Sequence, residues 1–327
     1  MSKDHRKGTV SELGETGLLK LLSERLPVPA GGEVWGGDDT AVLERPDGRL
    51  LVTVDTLVEG FDFDLSYASG SDVGWKALAA NASDIAAMCG RPAQAVTSLA
   101  LPRSTPLAFV DDFITGLIAA ADHWGIALVG GDISEAPTLV VSITLLGAAG
   151  DPVTLRSGAV TGDAVYVTGS LGGAAAGLVL LGSRSDRDDP AADRLRARQL
   201  RPEPRLEAAL WLAGFEPTAM IDLSDGLAVD LSRLLDSSDR GCHIEEELIP
   251  IDPDVASVSG LDPLTAAVTG GEDFELLFTV DGERELPATS PGGIAITKIG
   301  QVTDSGTRTI GTRDLGALKE KGWDHLR

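Results

Sequence analysis

The stretch LLVTVDTLVEGFDF, residues 50–63, is rich in apolar and β-branched residues and carries acidic residues toward its end. This pattern predicts a β-strand that ends in carboxylates. The next segment, SDVGWKALAANASDIAAM (71–88), is predicted to form an alanine-rich helix with Asp72 at its N-cap. Asn81 and Asp84 lie three residues apart, so they share one face of this helix and are expected to point into a site.

Outward from this unit, strand-like and helix-like segments alternate, which favours an α/β or α+β layer. The composition changes near residue 150, where a segment rich in turn-forming residues begins a second set of strands and helices. We therefore expect two domains, 1–149 and 150–327. The other predicted strands are at 93–102, 138–149 and 273–280. The other predicted helices are at 11–26, 107–125 and 203–213, with an acidic turn and a helix at 222–235, and a polar surface loop is predicted at 183–194.

Four short motifs place acidic residues in predicted turns: GGDDTAVL (36–43), LVGGDIS (128–134), MIDLSDGLAVDL (220–231) and VTGGEDFELLF (268–278). One such motif is most often only a tight turn. Four of them indicate a site, because glycine allows a ligand to approach the backbone and carboxylates suit hard cations such as Mg²⁺. The candidate ligands are Asp38, Asp39, Thr53, Asp55, Asp84, Asp132, Asp222 and Asp225.

Several candidates also have simpler interpretations. Asp225 could cap a helix that starts at Gly226, Asp55 could end a strand, and Asp84 could be solvated. Arg156, in VTLRSGAVTGD, is either a clamp on nucleotide phosphates or an ordinary surface arginine.

Composition excludes several classes of function. The chain has 327 residues, 43% hydrophobic content and a net charge of −23, without a local basic patch, so nucleic acid and anionic membranes are poor partners. The two cysteines, Cys89 and Cys242, form no metal-binding motif. The polar N-terminus lacks the apolar core of a signal peptide and no apolar run is long enough to span a bilayer, so a cytoplasmic protein is expected.

The chain has neither a Walker A motif nor GxGxxG. A protein of this sequence that handles polyphosphate is expected to use several Mg²⁺ ions, which position and neutralise a transferring phosphoryl group. Histidine is scarce and lies outside the motifs, at positions 5, 123, 243 and 325. If the acceptor is itself a phosphate, it is mostly dianionic at neutral pH and can attack without a general base.

Taken together, GGDDTAVL, VTVDTLVEGFDF, GWKALAANASDIAAMCGRP, GGDIS, MIDLSDGLAVDL and GGEDFELLF resemble the thiamine-monophosphate kinases, in the same order and at similar separations. The resemblance extends over nearly the whole chain. It implies a PurM-like fold, with an N-terminal α/β domain that pairs across a homodimer and a C-terminal α/β domain. It also implies ATP and Mg²⁺ as co-substrate and cofactor, and the phosphorylation of thiamine monophosphate to thiamine diphosphate.

The resemblance implies roles for individual residues. Asp39 is the expected metal ligand of GGDD, while Asp38 shapes the turn. Where many members of the family have histidine, in VEGVHF, this chain has Asp62, which could pair with the cationic thiazolium or be a solvated loop residue. Asp55, Asp84 and Asp222 are the expected catalytic residues. The full metal set is Asp39, Thr53, Val54 (backbone only), Asp55, Asp84, Asp132, Asp222 and Asp225; ATP contacts are Gly131, Asp132, Arg156 and Ser224; acceptor contacts are Asp62, Glu272 and Trp323.

Two alternatives remain from the sequence. The first is another PurM-like enzyme, of the aminoimidazole ribonucleotide synthetase, hydrogenase-maturation or selenophosphate-synthetase type, although the last should carry a reactive cysteine near the N-terminus and the first cysteine here is Cys89. The second is a non-catalytic regulator that binds nucleotide and Mg²⁺. The number of retained carboxylates argues against the regulator.

Overall fold

The computed structural model describes residues 41–45, 48–150, 152–185, 187–304 and 306–322. The predicted helix at 11–26, Asp38, Asp39 and Trp323 lie outside these ranges. Within them the chain forms two β-sheets with α-helices packed against them.

The first sheet has five strands in the order β1-β2-β5-β3-β4, and only β3 and β4 run parallel. Side chains alternate along each strand, so Leu51, Ile143 and Leu99 are buried on one face of the sheet. The strands are β1 Ala41–Arg45, β2 Gly48–Val58, β3 Arg91–Leu101, β4 Ala127–Glu135 and β5 Val140–Ala149; the helices are α1 Gly70–Ala87 and α2 Leu107–Trp124.

Helix α1 lies at the centre of the molecule. It packs against β2 and β5, against α2, and against the second sheet at β7 (Ala219–Asp222). Fourteen of its eighteen residues are buried, which explains why its sequence is alanine-rich rather than amphipathic. The predicted N-cap, Asp72, is wrong: the N-cap is Ser69. Asp72 is the third helical residue and closes a capping box with Ser69.

The second sheet has seven strands in the order β12-β11-β8-β10-β6-β9-β7, and only β8 and β11 run parallel. Besides β7, its strands are β6 Ala164–Thr168, β8 Gly241–Ile244, β9 Leu276–Val280, β10 Ile296–Thr303, β11 Arg308–Ile310 and β12 Arg313–Asp314. The helices of this half are α3 Gly173–Gly182, α4 Pro190–Leu200, α5 Leu206–Leu212, α6 Leu227–Ser238, α7 Pro263–Thr269 and α8 Leu315–Lys319, with short 3-10 turns at Ala213–Phe215, Glu246–Leu248 and Val255–Ser257.

Strands β6, β7 and β9 are buried on both faces, as their continuous apolar sequences require. Met220 and Phe278 join the hydrophobic core of the first sheet, whereas Ile221 and Leu277 join a second core beneath α6. The two halves of the chain therefore share one core. The proposed domain boundary near residue 150 stays a prediction.

Several predicted segments differ from the structure at their ends. The strand predicted over 50–63 ends at Val58, because Asp62 accepts a hydrogen bond from the Val58 amide (2.8 Å) and closes a turn. The GGDIS motif is part of strand β4 and not a turn. Within the polar segment 183–194, predicted to be a loop, helix α4 begins at Pro190 and the side chain of Asp189 caps it. The strand predicted over 273–280 begins at Leu276.

Among the described residues, no helix combines the length and the apolar character that crossing a bilayer requires. The cytoplasmic location stays a prediction.

Candidate active site

The first part of the site joins β2 to α1. Thr53 is buried, and its hydroxyl donates a hydrogen bond to the carboxylate of Asp84. Asp55 lies two residues farther along β2, so it faces the same side of the sheet as Thr53. The side chain of Val54 points to the opposite, exposed face, so only its backbone can contribute here. Asp84 is thus held at this site and is not simply a solvated residue.

The second part is the turn between β7 and α6, which begins at Asp222. Asp225 does not cap α6: the N-cap is Gly226, which makes no side-chain capping bond. Instead, the Asp225 carboxylate pairs with the Arg233 guanidinium at 2.5 Å, and Arg233 also contacts Asp230 at 2.9 Å. One arginine therefore bridges a carboxylate of the turn to a buried carboxylate of α6, and neither Arg233 nor Asp230 is among the residues predicted from the sequence.

Asp230 has an unusual environment. Burial raises the pKa of its carboxyl to about 7, the neighbouring charge of Asp225 adds to the rise, and the guanidinium groups of Arg233 and Arg156 oppose it. Arg156 is therefore close enough to this cluster to interact with it electrostatically. The role of Arg156 as a phosphate clamp stays a prediction.

The acidic turn lies side by side with the GGED motif. The amide of Glu272 donates to the carbonyl of Ser224 (2.7 Å), and the amide of Phe274 donates to the carbonyl of Leu223 (3.0 Å). Gly271 has to be glycine, because a Cβ there would lie 2.5 Å from the Ser224 carbonyl oxygen. Two motifs that are distant in sequence thus form one wall of the site.

Glu272 is held by two side chains. Lys76 of α1 places its ammonium 2.6 Å from Glu272 Oε1, and Gln199 of α4 donates to Oε2 at 2.5 Å. The Lys76 ammonium also donates to the Asp62 carbonyl (3.0 Å), although Lys76 is only 3% exposed. Lys76 is not among the residues predicted from the sequence, although a lone lysine eight residues before Asp84 in an apolar helix is a usable signal.

The other acids of the GGEDFELLF motif are structural. The Asp273 carboxylate accepts from the amides of Gly172 (2.6 Å) and Ala174 (3.1 Å) at the start of α3. Burial raises the pKa of Asp273 to about 6, against the charge of Arg198 and these amide bonds. Glu275 is fully buried and accepts two 2.6 Å bonds from Arg205.

Gly131 and Asp132 are not brought to this site within one chain. Strand β4 is three positions from β2 in the sheet, a separation of about 14 Å at the usual strand spacing. In the register of the sheet, Asp132 aligns with Ser98, Ser142 and Thr56, on the face opposite to Asp55. Asp132 is exposed on that face.

The donor set fits Mg²⁺ and does not fit zinc, because it consists of carboxylate and hydroxyl oxygens. Among the described residues, no three acidic, histidine or cysteine side chains are close enough together to hold a metal ion. Mg²⁺ usually takes only one or two carboxylates and completes its coordination with water and substrate phosphates. Thr53 with Asp84, and the carboxylates of the acidic turn, are compatible with that mode of binding.

Comparisons with known proteins identify the family of the chain. Residues 37–149 match the family model "AIR synthase related protein, N-terminal domain", and residues 160–311 match the corresponding C-terminal domain. The chain is 34% identical to the thiamine-monophosphate kinase of Aquifex aeolicus, over 97% of this chain and 99% of the relative. It is 37% identical to that of Escherichia coli K12, over 94% and 95% of the two chains.

Solved structures also match the chain. The structure of AaThiL complexed with AMPPCP and TMP superposes with a TM-score of 0.89 at 34% identity, over 98% of this chain and 99% of that one. The hydrogenase maturation protein HypE of E. coli superposes with a TM-score of 0.67 at 20% identity, which shows the shared fold alone. With its two AIR synthase related domains and PurM-like fold, the chain belongs to the thiamine-monophosphate kinase family of enzymes.

Proposed function

We propose that this enzyme transfers the γ-phosphoryl group of ATP directly to thiamine monophosphate, in line and with the help of Mg²⁺, to give thiamine diphosphate and ADP. One observation carries the proposal: a single helix, α1, contributes to both ends of the site. Asp84 pairs with Thr53 at one end, and Lys76 pairs with Glu272 at the other. The two residues are eight positions apart, which is about 12 Å along a helix. This span suits an extended substrate with a phosphate at one end and a ring at the other.

The nucleotide and metals belong at the Asp84 end. Bound Mg²⁺ would neutralise the polyphosphate and the charge that develops during transfer. Arg156 and Ser224 lie beside the acidic turn and would contact the ATP phosphates, together with Gly131 and Asp132. The metal ligands we propose are Asp39, Thr53, Val54 through its backbone, Asp55, Asp84, Asp132, Asp222 and Asp225.

The chain supplies no general base to this reaction from its described histidines. His123 contacts Glu203 and His243 contacts Thr309, and both side chains are exposed. A phosphate acceptor needs no base, because it is mostly dianionic at neutral pH. The work of this chain is therefore to position two phosphates and to neutralise them, and Asp55, Asp84 and Asp222 are the residues we assign to it.

A homodimer through the open face of the five-stranded sheet completes the proposal. This face carries Val54, which is 61% exposed, Val96, which is 41% exposed, and Thr144 aligned between them. Apolar side chains in the middle of a wide sheet face favour burial against a second copy. Asp132 lies on the same face, so a second copy packed there would cover Asp132 and bring it into the interface between the two copies. Within one chain, Asp132 and Gly131 are too far from Asp55.

The proposal is tested by phosphorus NMR of a reaction that contains ATP, Mg²⁺, thiamine monophosphate and thiamine. We expect thiamine diphosphate and ADP, with thiamine left unchanged, because its alcohol would need a general base. AMP would indicate pyrophosphoryl transfer, and equal consumption of thiamine would contradict a phosphate acceptor. Absence of any acceptor-dependent ADP would favour a non-catalytic regulator.

A further inference from the structure

The carboxylate of Glu272 is already neutralised by a buried lysine. We propose that Lys76 makes Glu272 a hydrogen-bond acceptor for an amino group on the ring system of the acceptor, and not a counter-ion for its cationic ring. The inference rests on the proposed function, because it concerns how the same site recognises thiamine monophosphate. Lys76 is then a positioning residue that acts through Glu272.

Lys76 cannot readily leave Glu272. Its side chain is 4% exposed, and its ammonium is held by the Glu272 carboxylate at 2.6 Å and the Asp62 carbonyl at 3.0 Å. Helix α1 is buried on several sides, which restricts movement of the lysine toward solvent. An ion pair with zero net charge attracts a further cation only weakly, since the two Coulomb interactions oppose each other.

Glu272 nevertheless keeps the ability to accept hydrogen bonds. A carboxylate offers about four acceptor positions, and here one is taken by Lys76 and one by Gln199. The Glu272 side chain is 28% exposed, so a ligand can reach the remaining positions. Its backbone has a φ of 66° and is fixed by the bond to the Ser224 carbonyl, so the carboxylate is held in place.

The chemistry of the acceptor agrees with its position. In thiamine monophosphate the cationic thiazolium carries the phosphate-bearing side chain, whereas the neutral pyrimidine with its amino group lies at the far end. With the phosphate near Asp84, the group that arrives about 12 Å along α1 is the far ring. An amino group donates hydrogen bonds, and Glu272 is an acceptor. The pair Lys76–Glu272 therefore selects the aminopyrimidine.

The test measures binding by calorimetry with Mg²⁺ and without ATP, so that no turnover occurs. The ligands are thiamine monophosphate, an analogue whose amino group is replaced by an oxo group, and an analogue whose thiazolium is replaced by a neutral thiophene. The proteins are the wild type, Lys76→Met, Lys76→Arg and the double variant Lys76→Met/Glu272→Gln. The double variant restores neutrality if Lys76→Met alone fails to fold, and thermal melting reports the fold of each.

We expect the wild type to prefer the amino ligand over the oxo ligand by about tenfold or more. The double variant should lose most of this preference, because a glutamine amide can either accept from the amine or donate to the oxo group. Lys76→Met should raise the preference for the cationic ring over the neutral ring by about tenfold, since a bare carboxylate attracts the cation. Lys76→Arg should restore the wild-type preferences.

Two results would overturn the inference alone: full amino preference in the double variant, or, in Lys76→Met, a cation preference equal to that of the wild type. These leave the proposed function intact if the wild type still phosphorylates thiamine monophosphate. A wild type that fails to phosphorylate it would overturn the proposed function and this inference together.

Discussion

At the scale of single residues, the site consists of polar groups that are fixed before any ligand arrives. Thr53 orients Asp84, Arg233 holds Asp225 and Asp230, and Lys76 holds Glu272. Under the proposed function, such preorganisation lowers the cost of assembling charged groups around a transferring phosphoryl group. The chemical type of each motif residue could be predicted from the sequence. The pairing of Lys76 and Gln199 with Glu272 could not, because it joins side chains from segments that meet only in the folded chain.

Asp84→Asn should lower kcat by about a hundredfold or more, because the amide keeps the shape of the side chain but loses the charge that a metal ligand supplies. Asp55→Asn should have the same effect. The melting temperature should remain close to that of the wild type, since removing one of several mutually repelling carboxylates does not weaken the fold. Steady-state kinetics at saturating Mg²⁺ and ATP test this, with the exposed Asp122→Asn as the control. Near-normal turnover by either site variant would refute its assignment.

Because the pKa of Asp273 is raised, we expect the stability of the protein to depend on pH. Its pKa is raised to about 6 in the folded protein, mainly by burial. Between about pH 4 and 6 the folded state keeps a proton that the unfolded state has lost, so the contribution of this carboxyl is full below about pH 4 and disappears as the pH rises through about 6. Asp273→Asn cannot titrate, so its stability relative to the wild type should rise over this window, by up to about 3 kcal/mol.

Urea unfolding at pH 4.5 and pH 7 measures this difference. Asp188→Asn removes an exposed aspartate and serves as the control. A stability difference between Asp273→Asn and the wild type that is the same at both pH values would contradict the assigned cause.

At the scale of helices and strands, periodicity predicted which segments form elements, and local chemistry decided where they end. Helix 107–125 and the strands near 93–102 and 138–149 agree with the structure within a few residues. The GGDIS motif is predicted as a turn, because a glycine pair before an acidic residue is most often a tight turn. Its second glycine is needed for pairing instead, since a Cβ at Gly131 would lie 2.1 Å from the Thr97 carbonyl oxygen of β3.

Close contact between α1 and α2 leads to a test of packing. A Cβ at Gly116 of α2 would lie 2.0 Å from the Ser71 carbonyl oxygen, so Gly116→Ala forces two buried backbones apart. We expect a loss of about 1–3 kcal/mol, although alanine gains about 1 kcal/mol of helix propensity over glycine. Gly182→Ala, in α3, meets no atom within 4 Å and should be neutral or stabilising. Urea unfolding compares the two; equal midpoints would disprove the tight contact.

At the scale of the whole molecule, the shared core and the open sheet face have opposite consequences. The core joins the two halves of the chain, so the site between α1 and the second sheet is held rigidly. The open face carries Asp132, which points away from Asp55, so under the proposed function a single chain has an incomplete nucleotide end. The sequence could supply Asp132 as a candidate, but not its location, because strand order is set by pairing between distant segments. The proposed dimer can therefore be tested by exchanging subunits between variants.

If Asp132 acts on the partner's site, two inactive variants should restore each other. In a mixed dimer of Asp55→Ala and Asp132→Ala, one site combines both substitutions and the other has neither. Random exchange of subunits then predicts recovery of up to about a quarter of wild-type activity, because half of the dimers are mixed and each contains one intact site.

The measurement is ADP formation after the variants are mixed under conditions that allow exchange, with each variant alone as the control. Introducing Val54→Asp into both variants should prevent recovery, since a charge on the open face opposes pairing. Sedimentation should show dimers of the first two variants and monomers once Val54→Asp is present. Dimers that exchange subunits without any recovered activity would place Asp132 and Asp55 in the same site of one chain, against the separation of about 14 Å that the strand order imposes.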